Sequence, residues 1–359
     1  MPGGFAQQGE MRAFCRRVIS ITACAAGWLA VCIAALMPAA AHALDRTQLA
    51  VIINTRDPLS VRIGEYYAAQ RQILFQNIIR VGFPAGKSAM TAKEFEALNS
   101  WVHEKTVPGV EAYVLTWALP YRVDCMSITS AFAFGFSEAY CAEGCKTTKT
   151  SPYFDSTARL PFTQLGIRPT MAIAAANFDD AKALIDRGVA ADGTRPEGTA
   201  YLLTTHDVNR NVRMHTYPIV EKMLKGRFTT RLLNQPYLKD ARDVMFYFIG
   251  SSSVEGLDTL HFLPGAIADH LTSAGGWFDQ ESGQMSSMRW LEAGATGSYG
   301  TVVEPCNIVQ KFPNPPLVIG HYVQGETLIE AYWKSVQMPG QGIFIGEPLS
   351  APFSSAKHK

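Results

Sequence analysis

The chain has 359 residues and nearly balanced charge, with 32 Lys and Arg against 31 Asp and Glu. At 47% apolar and 18% charged residues, its composition is not that of a disordered, coiled-coil or collagen-like protein. A formal charge of +1 gives no general electrostatic reason to bind nucleic acid.

Residues 1–43 read as an export signal. Arg12, Arg16 and Arg17 precede an apolar run over 18–37, Pro38 breaks the run, and Ala41-His42-Ala43 is a small-x-small cleavage pattern. The run also has the length of a membrane anchor, but the proline break before the cleavage pattern favours removal. Cleavage after Ala43 takes away those three arginines and Glu10, leaving 29 basic against 30 acidic side chains. No second apolar segment of membrane length follows. The expected product is a bacterial protein of the periplasm or the exterior, with no membrane span after signal cleavage.

Strands and helices then alternate. LAVII (49–53) reads as a buried strand, Asp57-Pro58 as the start of a helix to about Gln72, and NIIRV (77–81) as a second strand. Thr91-Ala-Lys-Glu94 is a capping box opening another helix, and VEAYVLTW (110–117) returns to a strand. This β-α-β-α-β order predicts a mostly parallel sheet covered by helices. Residues 122–176 lose the rhythm and read as a long irregular insertion, of the kind used as lids or binding loops. A helix over 178–188, ending at Gly188, restores the alternation. TAYLLTT (199–205), DVMFYFI (243–249), TLHFL (259–263), YGTVV (299–303) and IFIG (343–346) continue it as strands. AIADH ends a helical stretch; short helices fall near 286–293 and 326–336. Residues 44–356 form one enlarged α/β domain on this reading, three layers thick, with a tail at 357–359.

Cys125, Cys141, Cys145 and Cys306 remain after the signal, an even number suited to disulfides in an oxidising compartment. A bond from Cys141 to Cys145 would leave Cys125 for Cys306, but four cysteines allow three pairings. Their spacing is wrong for a zinc site. Phosphate-loop, dinucleotide, zinc-protease and nucleophile-elbow motifs are all missing from the sequence, so no cofactor or metal is expected. Ser251 to Ser253 follow a strand and read as a turn.

The densest polar constellation lies between 264 and 306. Asp269 and His270 precede Thr272, Ser273 and the pair Gly275-Gly276, and a later strand delivers Glu304. Carboxylate, imidazole and hydroxyl are the ingredients of acyl-transfer chemistry. Adjacent residues cannot form a triad by themselves, so Asp269 or His270 would have to meet another loop, such as that of Glu304. The plainer reading is a polar cluster that satisfies loop backbone. His206-Asp207 is a second, less specific pair at a strand edge.

YYAAQRQI (66–73), YVLTWALPYRV (113–123), PGAIADHLTSAGG (264–276), EAGATGSYGTVVEP (292–305), KFPNPP (311–316) and GEPLSAPF (346–353) carry a resemblance. The chain resembles a family of uncharacterised exported bacterial proteins associated with the exosortase system. The last stretch is similar to that family's G-D-P-L-x-x-P-F, with Glu347 in place of aspartate. More remotely, it resembles the caspase-like fold of gingipain-type cysteine peptidases. That resemblance implies a His-Gly after one central strand and a nucleophilic Cys after the next. FIGSSS (248–253) and HFLPGA (261–266) supply neither. It therefore implies a caspase-like (gingipain-like) α/β fold without ordinary cysteine-peptidase chemistry. The expected function is non-catalytic binding or scaffolding of an envelope protein, peptide or glycan during surface-protein or exopolysaccharide processing. The alternative is a hydrolase using Asp269, His270, Thr272, Ser273 and Glu304.

Overall fold

Two runs of parallel strands, joined through the last strand of the chain, build the protein. The structure is a computed structural model that describes residues 43–142, 144–279 and 282–355. The segment expected to be an export signal, except Ala43, and the expected tail at 357–359 lie outside the described residues. The N-terminal elements are β1 (Leu49–Asn54), α1 (Pro58–Gln70), β2 (Ile78–Val81), β3 (Ala89–Met90), α2 (Ala92–Lys105), β4 (Ala112–Leu115), β5 (Arg122–Val123), β6 (Met126–Ser127), α3 (Ile128–Phe134), α4 (Pro161–Leu165), β7 (Thr170–Ala172) and α5 (Phe178–Ala191). Then come β8 (Thr199–Thr204), α6 (Tyr217–Leu224), β9 (Thr229–Asn234), β10 (Val244–Gly250), β11 (Phe262–Leu271), α7 (Met288–Glu292), β12 (Gly297–Thr301), α8 (Pro315–Val323), α9 (Leu328–Ser335) and β13 (Gly342–Gly346).

The main sheet has ten strands in the order β2-β1-β4-β7-β13-β12-β11-β10-β8-β9. Neighbours in β2-β1-β4-β7 are parallel, as are neighbours in β12-β11-β10-β8-β9. β13 fills the gap between the runs. It pairs antiparallel with β12 over five positions and meets β7 at one, Ile345 opposite Ala172. A mostly parallel, helix-covered α/β sheet is thus found as expected. Every residue of β1, β10 and β13 is buried, the mark of strands covered on both faces. The edge strand β9 is mostly exposed.

Local chemistry sets the helix ends. The Asp57 side chain accepts the Leu59 N–H ahead of Pro58 at the start of α1, and Thr91 and Glu94 form the capping box of α2. α5 does not stop at Gly188 but runs on to Ala191. That glycine serves close approach instead, because a Cβ there would lie 2.6 Å from Cγ of Glu347. Glu347 is wholly buried and accepts Nε of Arg71 at 3.0 Å. Other guanidinium nitrogens of Arg71 bond Glu347 again and Asp192. One buried cation thereby ties α1, the end of α5 and the GEPLSAPF loop together.

Three expectations are corrected. The 122–176 insertion is partly regular: it contains α3, α4 and β7, with β5 and β6 in a small three-stranded sheet beside β3. α3 escaped detection because six of its seven residues are buried, which erases the amphipathic period. AIADH lies inside β11, not at a helix end. The cysteines pair as Cys125–Cys141 and Cys145–Cys306, so neither the short Cys141–Cys145 loop nor a Cys125–Cys306 bond forms. Among the described residues, no helix is long and apolar enough to cross a membrane.

Candidate functional site

Asp269 and His270 are consecutive residues of a strand, so their side chains leave opposite faces of the sheet. On one face Asp269 meets Arg213, 2.6 Å away, with both side chains 1% exposed. Arg213 follows the β8 loop, lies 5.5 Å over the Phe248 ring, and donates to the carbonyls of Pro313 at 3.3 Å and Ile249 at 3.4 Å. Burial raises the Asp269 pKa, and the guanidinium opposes that shift. This pair clamps the β8 loop to the centre of the sheet.

On the other face, Nδ1 of His270 accepts the indole N–H of Trp290 at 2.9 Å. An indole nitrogen can only donate, so Nδ1 carries no proton and Nε2 does. Nε2 therefore donates to the Met285 carbonyl, also at 2.9 Å. Burial pushes the His270 pKa down to about 4, helped by Arg213 and Arg210 and resisted by the Met285 carbonyl. The ring is neutral, and both nitrogens are engaged inside the fold. It is not available as a base.

Past Leu271 the chain enters a polar cleft of about 360 Å³. Asn209, Arg210, Thr272, Ser273, Glu304 and Asn307 line it, and Cys306 contributes to the same wall. These residues follow β8, β11 and β12, whose carboxyl ends share one sheet edge, the usual ligand side of open α/β sheets. Thr272 donates to Oε1 of Gln284 and accepts Nε of Arg210 at 3.1 Å. Asp207 holds Arg210 from behind, 2.6 Å away. Ser273 donates to Oε1 of Glu304 at 3.2 Å, and the same oxygen takes the Cys306 N–H at 2.7 Å. Lys311 lies nearby, buried and unpartnered at Nζ among the described residues; burial draws its pKa down to about 8 against the field of Glu304.

Backbone proximity fixes this geometry. A Cβ on Gly250 would sit 2.1 Å from the Arg210 carbonyl oxygen, so the β8 loop rests directly on the end of β10. Likewise Gly300 of β12 has room only for hydrogen under Gly275, where a Cβ would come within 2.3 Å. Gly300, together with Gly276, where a Cβ would come within 2.9 Å of Ile343 and Val302, thus lets the loop after β11 cross its neighbour. Thr301 secures the crossing by donating to the carbonyls of Ser273 at 2.8 Å and Thr272 at 3.1 Å.

Thr272, Ser273 and Glu304 come together as candidate residues of one cleft; Asp269 and His270 do not join them. Glu304 meets Ser273 rather than either of those two. Ser251 bonds the Ser253 carbonyl within its own turn, and Asp207 engages Arg210 beside an exposed His206. Sequence reasoning missed Asn209, Arg210 and Asn307, for which the only signal was their position after strands. It also ended the strand TLHFL at residue 263, which would make Pro264 to Ala266 the residues that follow it. Because β11 extends to Leu271, they are Thr272 and Ser273. No group of three metal-ligating side chains occurs among the described residues. The cleft offers hydroxyl, amide, carboxylate and guanidinium groups, a set suited to hydrogen-bonding a polar ligand. Comparison with protein-family models, curated proteins and solved structures finds no match for this chain.

Proposed function

We propose that this is an exported envelope protein that binds a protein segment or glycan in the Ser273–Glu304 cleft without turning it over. It would be a non-catalytic relative of caspase-like peptidases, within the exosortase-associated family its sequence resembles, and would serve surface-protein or exopolysaccharide processing. One observation carries the reading. His270 has both ring nitrogens engaged inside the fold, and no histidine lines the cleft among its described residues. The adjacent strands β10 and β11 are followed by Ser251–Ser253 and Thr272–Ser273, where the resemblance would ask for histidine and cysteine. Two disulfides support an oxidising compartment.

The 3.2 Å bond from Ser273 to Glu304 favours a second reading, a hydrolase with a serine nucleophile and a carboxylate base. One pair of variants separates the two. Envelope peptides and purified exopolysaccharide are tested for retention by the protein and for cleavage. Binding without cleavage, lost in Ser273→Arg and kept in Ser273→Ala, is the expected result. Turnover that vanishes in Ser273→Ala would overturn the binding reading and establish the hydrolase.

A further inference from the structure

A larger cavity, about 570 Å³, lies away from this cleft, between α2 and the loop that follows β2. Val81, Phe83, Met90, Leu98, Trp101 and Pro120 give it apolar walls. We propose that it binds an amphiphile: a single hydrocarbon chain bearing one anionic head group.

The size falls within the range of small-ligand sites. Trp101 is 46% exposed, a large apolar surface left in water on a helix that buries Phe95 and Val102 on its core side. Its ring is held as a wall: the indole N–H donates to the Arg80 carbonyl at 3.1 Å, and the Lys105 ammonium lies 4.4 Å from the ring centroid. The charged side chains that reach the cavity are Arg80, Lys87 and Glu94. Glu94 is committed to its capping box, accepting the N–H and the hydroxyl of Thr91 at 2.9 and 2.8 Å. Arg80 approaches Glu65 at 3.5 Å with both side chains half exposed. Lys87 makes no close ion pair among the described residues, although its field helps hold the Glu94 carboxyl low; two cations against one carboxylate leave the lining net positive beside its apolar walls.

That combination selects the ligand class. A peptide would bring an amide to be satisfied at each residue, against walls that are mostly apolar. A hydrocarbon chain brings none, and its head group can meet Lys87.

Isothermal titration with decanoate, kept below its micelle concentration, and with the uncharged decyl glucoside tests the assignment. One-to-one binding of both is expected. Ala97→Phe, an exposed change on the cavity wall, should abolish both. Lys87→Gln should weaken decanoate about threefold and leave the glucoside unchanged, while Lys93→Gln, outside the cavity, alters neither. Sedimentation with phosphatidylglycerol vesicles identifies the source: decanoate-sensitive co-sedimentation means a membrane lipid, and its absence with decanoate still bound means a free fatty acid. Decanoate affinity untouched by Ala97→Phe, or no binding up to roughly 1 mM, overturns the proposal.

Discussion

Trp290 and His270 share one hydrogen bond of 2.9 Å, and its direction decides the chemistry of the histidine. The indole can only give a proton, so the imidazole must be neutral wherever this bond exists. A histidine that looks catalytic in sequence is in effect an internal strut between α7 and β11.

That strut has a pH signature. The folded pKa is pushed down to about 4 by burial, whereas an unfolded histidine titrates near 6.5. Between these values the unfolded chain holds the extra proton, so stability falls as pH drops from 6.5 to 4, by roughly 3 kcal/mol in all. His270→Gln should remove that part of the slope and cost about 1–3 kcal/mol at neutral pH, because Trp290 or Met285 loses its partner. Urea unfolding of both proteins from pH 4 to 8 measures this; parallel curves would refute it.

The Arg213–Asp269 pair gives a second prediction. Asp269→Leu alone leaves a buried guanidinium uncompensated and should cost about 3–5 kcal/mol. Adding Arg213→Met should recover most of that loss, since neither member of this pair then leaves a charge unpaired. A double variant as unstable as the single one would show that the pair has another role.

Gly188 offers a third. Ala is ordinarily the better helix residue, by about 1 kcal/mol. Here Gly188→Ala should instead destabilise by about 1–3 kcal/mol, because the new methyl group collides with Glu347. Combining it with Glu347→Gly, which removes the Cβ as well as the carboxylate arm, should add little beyond the loss of Glu347 itself. Thermal melts of the three variants decide the case.

Peptide mapping without reduction checks the cysteines. The expected linked peptides join Cys125 to Cys141 and Cys145 to Cys306. A peptide closed between Cys141 and Cys145 would contradict the structure.

Much of the fold was legible in the sequence. LAVII, NIIRV and the Thr91 capping box announce their elements through patterns that depend only on near neighbours. Failures arose where the pattern is set by distant chain. β11 is buried along most of its length, so GAIADHL lacks alternation and mimics a helix end. The partner of Asp269 lies 56 positions earlier in a loop, and nothing local marks Arg213 as that partner. The site was half visible for the same reason: Ser273 and Glu304 follow strands that can be read, but only the folded sheet brings Arg210 to their side.

The position of β13 has a consequence for how the protein is made. Residues 342–346 are the last strand of the chain, yet they sit in the middle of the ten-stranded sheet. While synthesis proceeds, β7 and β12 each wait with an unpaired flank, and the two nascent half-sheets are bridged by helix α5, packed on both α1 and β11, and not by strand pairing. Bare flanks of that kind invite pairing with the wrong chain. A product that lacks residues 342–346 should therefore aggregate, and insertion of β13 is the event that pairs the two half-sheets.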